Sequence, residues 1–470
     1  MENRTASALA DGDVLEILEI QRDFFATGKT QELDFRRRLL LNLQKMLREN
    51  ETALLDAVYK DLGKPYQESY LVELYPLYSE IKLALRNLGR WNAPKTVLTP
   101  LVLMPAVSRV YRKPMGNVLV FSTWNYPVQL SLLPLVSSIA AGNCTIIKLP
   151  ENSSHTTALL CKLIDSYFDR EYIAAVTDSF DTLHALRKGR FDLVFYTGGP
   201  LVAKIISKAA AEKLTPILLE LGGKSPCIVD KTANLKLAAK RIVFGKALAS
   251  GQTCVAPDYL FVDSQIKDKL IGYIKYYSEK FYTDKPHKNR YYPKIINSLH
   301  FERLRSYLDD GDIIIGGEVN EAENKISLTL MENIKKGSKL YTEEIFGPIL
   351  PVFEYNNINT VIRFLSRRPT PLALYLFTTN RALRNKVIST LSFGNGCIND
   401  TVMQLANPHL PFGGIGLSGT GRYHGKSGFL SFSTECSIMH SPAHIDNGWL
   451  RYPPFNNDVS LMRILTRFFT

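Results

Sequence analysis

Residues 114–147 read PMGNVLVFSTWNYPVQLSLLPLVSSIAAGNCTII, without one Asp, Glu, Lys or Arg between Lys113 and Lys148. A run this long exceeds the roughly 20 apolar residues that a membrane-spanning helix needs. Its internal punctuation argues for something else. Gly116-Asn117 precede the apolar run 118–121. Ser122-Thr123-Trp124-Asn125-Tyr126-Pro127 then brings polar groups that would lack partners at bilayer depth. Pro127 suits the first turn of a helix, Gly142-Asn143 suit its end, and 144–148 reads as a second strand. Strand, polar loop, helix, turn and strand make one βαβ unit, whose strands are near-continuously apolar because both faces are buried.

The same alternation extends in both directions. The pattern predicts strands at 118–121, 144–148, 172–177, 192–196 and 215–220, with helices at 127–140, 152–167, 180–188 and 200–212 between them. That order implies a parallel, doubly wound sheet with ligands beyond the carboxyl ends of its strands. The strand at 192–196 runs into Thr197-Gly198-Gly199 and a helix, which leaves backbone N–H groups free for an anion. No G-x-G-x-x-G fingerprint accompanies it. After Gly222-Gly223 a second α/β block follows, with strands near 226–229, 258–263, 312–315, 349–353, 372–377 and 394–398. Upstream, 14–59 and 67–88 have helical periodicity with many exposed charges, and 97–112 reads as extended, in the manner of a hairpin. The Gly-rich stretch 411–425 suits a close-packed loop between domains as well as a phosphate loop. Residues 460–469 form an amphipathic basic helix pattern, which docks on protein or touches a membrane surface.

Composition narrows the function classes. The chain has 470 residues, 45% hydrophobic and 22% charged, enough for two or three domains. Its net charge of +12 is spread along the chain without a basic block, and no nucleic-acid motif appears. Such a surface suits anionic cofactors or lipid headgroups. Six cysteines in a chain this long are not a disulfide framework, and without a C-x-x-C pair no metal site is expected. The N-terminus lacks the basic start and apolar middle of a signal peptide, so a reducing cytoplasm is expected.

Three stretches carry chemistry. Ser250-Gly251-Gln252-Thr253-Cys254 presents a thiol; read alone, it is a buried small hydrophobe, with no neighbouring His to activate it. Leu219-Glu220-Leu221-Gly222-Gly223 ends an apolar strand on a carboxylate, and its Gly pair lets backbones approach closely. Glu343-Glu344-Ile345-Phe346-Gly347-Pro348 sets an acid and an aromatic two residues apart before a turn.

With the TWNYP loop, LELGGKSP, SGQTC, EEIFGP and PFGG in that order, the chain resembles the aldehyde dehydrogenase superfamily over roughly residues 14 to 455. SGQTCVAPDY, PLALY, LPFGG and YHGK resemble its class 3 branch. The resemblance implies an α/β fold of two doubly wound α/β domains, one cofactor-binding and one catalytic, plus a small oligomerisation hairpin and strand. Its boundaries would be 1–96 with 113–220 for the NAD(P)-binding domain and 221–410 for the Cys-bearing domain. The oligomerisation element would take 97–112 with 426–441, and a tail 442–470. It further implies NAD(P)-dependent oxidation of hydrophobic aldehydes, aliphatic or aromatic, by a homodimer. Cys254 would be the nucleophile, Glu220 the general base, and the Asn125 amide with the Cys254 backbone N–H the donors to the oxyanion. Trp124, Tyr126 and Thr253 would wall the substrate pocket. Lys148, Glu151, Gly198, Gly199, Leu221, Glu344 and Phe346 would contact the cofactor.

Three departures from the family pattern all touch cofactor contacts: Lys148-Leu149-Pro150-Glu151, Thr197-Gly198-Gly199 and Ala203. Glu151 should repel a 2′-phosphate, which favours NAD, with NADP as the alternative. An acylating reductase of the same fold, linked to coenzyme A or phosphate, is the competing reading, disfavoured by the retained Glu220. A non-catalytic binding protein and a nucleic-acid binder stand further off.

Overall fold

The structure, a computed structural model, describes residues 11–177, 179–446, 452–455, 457–460 and 462–464. The charge-free run lies at its centre. Every residue of the strand Asn117–Phe121, the helix Gln129–Ala141 and the strand Cys144–Lys148 is buried. Some of its polar side chains find partners locally: the Ser131 hydroxyl donates to the Pro127 carbonyl, and the Ser138 and Thr145 hydroxyls meet at 2.7 Å. No helix among the described residues is long and apolar enough to cross a membrane.

Six strands form the first sheet, in the order Gly419–Thr420, Ile217–Leu221, Leu193–Gly198, Asn117–Phe121, Cys144–Lys148, Ile173–Val176. The last five are parallel, and chain order reverses between Asn117–Phe121 and Leu193–Gly198. In open α/β sheets the crevice at such a reversal is where ligands bind. The loop holding Asn125 leaves the sheet there. Gly419–Thr420, from the Gly-rich stretch, pairs antiparallel with Ile217–Leu221 and closes the edge.

The second sheet has seven strands, in the order Asp312–Ile315, Thr329–Glu332, Ile349–Tyr355, Tyr259–Asp263, Pro226–Val229, Ala373–Phe377, Asn395–Ile398. Six of them were expected, each within two residues at its ends. Thr329–Glu332 was not, because a four-residue strand followed by a polar turn carries no periodic signal. It makes the sheet mixed: Asp312–Ile315 runs antiparallel to it.

The third sheet is antiparallel and joins Lys95–Val97, Val107–Pro114 and Ser433–His440. The expected extended stretch 97–112 is therefore interrupted by a tight turn at Leu101–Leu103. On this sheet and its turn, Leu98, Leu101, Leu103, Met104, Val107, Ile438 and Met439 are exposed.

The N-terminal helices depart from expectation in two places. Arg36, in a stretch read as solvated charge, is buried. Its guanidinium donates to the Thr30, Gln31 and Ala140 carbonyls, so it satisfies the open end of the central helix. The helix expected at 67–88 contains a π-helical turn at Tyr70–Leu74, a local widening frequent at functional sites. The expected helix at 460–469 lies mostly outside the described residues.

Asp61 ties the helix Glu51–Leu62 to the start of Ser154–Tyr167. Its buried carboxylate accepts from the His155 and Thr156 backbone N–H groups, at 3.1 and 2.8 Å, and from the Thr156 hydroxyl at 2.7 Å. Asp61→Ala removes a cap and strands those donors, a loss on the order of 2 kcal/mol. Urea unfolding should show a lower midpoint at unchanged m-value; an unchanged midpoint would refute the assignment.

Candidate active site

Two loops meet in front of the first sheet. One follows Asn117–Phe121 and carries Asn125, which is buried; its side-chain amide donates to the Gln252 carbonyl at 2.9 Å. Beside it the Tyr126 hydroxyl meets the Thr253 hydroxyl at 2.5 Å. The other loop leads to Cys254 through the 3-10 turn Leu248–Gly251. There Ala249, Ser250 and Gly251 are all left-handed, with φ of 49°, 55° and 74°. For the two non-glycine residues this conformation costs of order 1–2 kcal/mol each. Surrounding contacts hold it in place. Glu68 accepts the Ala249 N–H at 2.7 Å, and the Gln252 side chain donates to the Ala249 and Lys294 carbonyls and accepts the Ile296 N–H. Gly251 packs against the Gly347 carbonyl so closely that a Cβ would collide with it.

The Asn125 loop is fixed from behind by an ion pair that takes no part in the sequence motifs. Lys64 Nζ donates to Glu73 Oε1 at 2.8 Å and to the Asn125 backbone carbonyl at 2.6 Å, and both side chains are fully buried. Glu73 Oε2 accepts the Val128 and Gln129 N–H groups at the start of the central helix. Lys64 also sits 4.0 Å from the centre of the Tyr126 ring. The π-turn makes this geometry: it delivers Glu73 to the helix start while Leu71 and Val72 face the chamber beside Cys254.

That chamber, of about 80 Å³, is lined by Cys254, Tyr126, Thr253, Leu130, Phe244, Leu248, Val402, Leu405, Phe412 and Tyr423 among others, nearly all apolar. Burial pushes the Cys254 thiol well up, and the nearby Glu344 and Glu220 carboxylates add to it. The resting sulfur is therefore protonated at neutral pH. Glu220 is raised well above the ordinary carboxylate range by burial, with Arg422 opposing. It lies against Gly413 and Arg422, outside the chamber lining, and its Oε2 has no hydrogen-bond partner. Trp124, expected in the pocket wall, packs on His300 and Phe346, with ring centres 5.2 and 5.4 Å away.

A second cavity, of about 480 Å³, is bordered by Gly222, Gly223, Lys224, Lys204 and Glu344. Burial, with Asp258 adding, lifts Glu344 to about 8. A Cβ on Gly222 would meet the Glu344 carboxylate, so the bare glycine lets that side chain approach closely. Leu221 pairs with Gly198 at the strand ends behind it, and Gly199 caps the helix Pro200–Ala211. Further along the sheet edge, Lys148 reaches Glu151 at 3.3 Å. The buried Thr197 hydroxyl beside Gly198 has no partner. An orphaned donor, a helix start and two lysines bordering an open cavity fit an anionic dinucleotide. Among the described residues no cluster of three or more His, Cys, Asp or Glu could hold a metal ion.

Lys64, Glu68, Glu73 and Arg422 escaped sequence reading. Lys64 and Glu73 are nine residues apart across a helix boundary, a spacing without periodic meaning, with Glu73 inside the π-turn. Gln252 stands inside the SGQTC motif, but its bridging role depends on the left-handed turn.

A model for the aldehyde dehydrogenase family matches residues 4–438. The chain is 42% identical over 434 residues to 4,4'-diaponeurosporen-aldehyde dehydrogenase of Staphylococcus aureus, covering 92% of this chain and 94% of the relative. It is 39% identical to mouse aldehyde dehydrogenase family 3 member B2, covering 92% and 91%. A solved structure of Staphylococcus aureus AldH in a substrate-bound state superposes with a TM-score of 0.93 at 40% identity, covering 97% of this chain and 99% of that one.

The buried pair yields a prediction. Lys64→Met leaves Glu73 buried and unpaired and should cost about 3–5 kcal/mol. Lys64→Met with Glu73→Leu should recover most of that loss in urea unfolding while turnover stays low, because Asn125 has lost its support. Full activity in the double variant would contradict the positioning role.

Proposed function

The chain belongs to the aldehyde dehydrogenase family, whose members oxidise aldehydes with NAD(P); from that premise we propose that Cys254, Asn125 and Glu220 carry the reaction here, on hydrophobic aldehydes. The observation that carries the reading is the apolar chamber in which the Cys254 thiol and the Tyr126–Thr253 pair stand beside a neutral, buried amide. The relative named for 4,4'-diaponeurosporen-aldehyde supports the hydrophobic preference.

Cys254 first gives up its proton to solvent, and Glu220 is kept for the later hydrolytic step, where burial makes it a stronger base than an exposed carboxylate. The Cys254 sulfur then attacks the carbonyl carbon, and the carbonyl oxygen becomes an oxyanion. One Asn125 amide hydrogen is engaged by Gln252; the other is available to the oxyanion, together with the Cys254 N–H. A dinucleotide held by this chain would supply the hydride acceptor, which leaves a thioester on Cys254. Glu220 takes a proton from water as that water attacks the thioester carbon, and the carboxylic acid leaves as the C–S bond breaks. Lys148, Glu151, Gly198, Gly199, Leu221, Glu344 and Phe346 would hold the dinucleotide, with Glu151 disfavouring a 2′-phosphate.

The 1–96 with 113–220 unit would be the cofactor-binding domain and 221–410 the cysteine-bearing domain. The exposed apolar residues of the third sheet fit a two-fold partner, so a homodimer is proposed, and light scattering should report twice the chain mass. Six free cysteines fit the reducing cytoplasm.

Two measurements test the mechanism. Asn125→Ala should lower kcat about 10²–10³-fold, the loss of one oxyanion donor, while Cys254→Ala should abolish NADH formation. Because the Glu220 and Cys254 values are raised, both groups are protonated at low pH. Turnover should therefore climb as pH rises through neutrality. A rate independent of pH between 6 and 9 would refute Glu220 as base.

A further inference from the structure

The Gly-rich stretch 411–425 closes over the strand that carries Glu220. Gly419 pairs with Glu220 itself, and Thr420 with Leu219. The loop is also tied to itself: the Phe412 N–H donates to the Tyr423 carbonyl at 2.9 Å, and the Tyr423 N–H to the Phe412 carbonyl at 2.8 Å. Arg422 stands next to this closure. Its Nη1 donates to the Gly414 carbonyl and, at 3.0 Å, to the Gly421 carbonyl, while its own carbonyl accepts from the Ser431 hydroxyl at 2.6 Å. A Cβ built on Gly413 would lie 2.9 Å from Arg422 Nη1 and 3.0 Å from Glu220 Oε1. The bare glycine thus leaves guanidinium and carboxylate within about 6 Å of each other, close enough for an opposite charge to favour ionisation.

Glu220 needs such a neighbour. It is 4% exposed, and its Oε2 has no hydrogen-bond partner. A buried carboxylate without a compensating charge keeps its proton. The other ionisable groups around it oppose its ionisation: Cys254 and Tyr423 are close enough to feel its charge, and the Glu344 carboxylate lies against Gly222, two residues along. Of these groups Arg422 alone is cationic. We propose that Arg422 is a positioning residue for the general base: from across Gly413 its guanidinium holds the Glu220 carboxylate charged and in place for the hydrolytic step. The proposal rests on the function assigned to Glu220 above. In that step Glu220 takes a proton as water attacks the thioester carbon, and the C–S bond breaks with its electron pair left on sulfur. Arg422 acts through Glu220, and pairing of the loop with the Glu220 strand fixes the distance between them.

The test separates acylation from deacylation in the full-length enzyme. NADH formed in a single turnover with NAD and hexanal reports acylation. Loss of the hexanoyl mass from Cys254, sampled by acid quench across a pH series, reports deacylation, and in the thioester Cys254 itself has no proton to lose. In Arg422→Gln and Arg422→Met the acid limb of deacylation should move up by about one pH unit, about a tenfold loss at pH 7, while single-turnover NADH formation changes less than about twofold. Arg422→Lys, which keeps the charge, should return most of that shift. Gln keeps a donor for the loop carbonyls and Met keeps bulk, so either variant that unfolds with a wild-type Tm serves. An acid limb that stays in place overturns the proposal, as does an equal shift in Arg422→Lys, which assigns the loss to loop packing. Collapse of both neutral variants assigns Arg422 to loop stability and overturns it too. Failure of the wild-type enzyme to acylate Cys254 overturns the functional reading as well.

Discussion

The hydrogen bond from the Asn125 amide to the Gln252 carbonyl joins the two halves of the site. One partner belongs to the loop at the reversal point of the first sheet, the other to the turn that delivers Cys254. Neither loop is at rest alone. The cysteine loop passes through three left-handed residues, and the Asn125 loop carries a buried polar group that must be partnered. Each is fixed by long-range contacts: Glu68 and Gln252 for the first, Lys64 and Glu73 for the second. The relation between sulfur and amide is therefore set by parts of the chain more than a hundred residues apart.

Burial governs the chemistry as much as placement does. Burial withdraws water from Cys254, Glu220 and Glu344, and each then holds its proton more tightly than in solution. A thiol so raised is a poor nucleophile at rest and a strong one once deprotonated. A carboxylate raised beside it is a better base than an exposed one. Glu220 lies near Gly413 and Arg422, outside the chamber lining, and the chamber stays nearly all apolar.

The parallel strands of the first sheet were readable because their apolar runs alternate with helical segments at regular spacing. The loop carrying Asn125 was readable because a charge-free run that contains Trp-Asn-Tyr-Pro cannot cross a bilayer. The strand Thr329–Glu332, the antiparallel edges and the π-turn were not, since each depends on a neighbour distant in sequence. Arg36 shows the limit of charge reading: the stretch LDFRRRLLL looks solvated, yet one of its arginines closes the end of the central helix. At the site, motifs identified the groups proposed to meet substrate and cofactor. They said nothing of Lys64, Glu73 or Glu68, whose roles follow only from the packed geometry.

The central claim is that the carbonyl carbon becomes bonded to the Cys254 sulfur. Glu220→Gln, mixed with hexanal and NAD, quenched in acid and digested, should give a peptide containing Cys254 that carries the mass of one hexanoyl group. An unmodified Cys254 peptide, or an acyl group on another residue, would contradict the account.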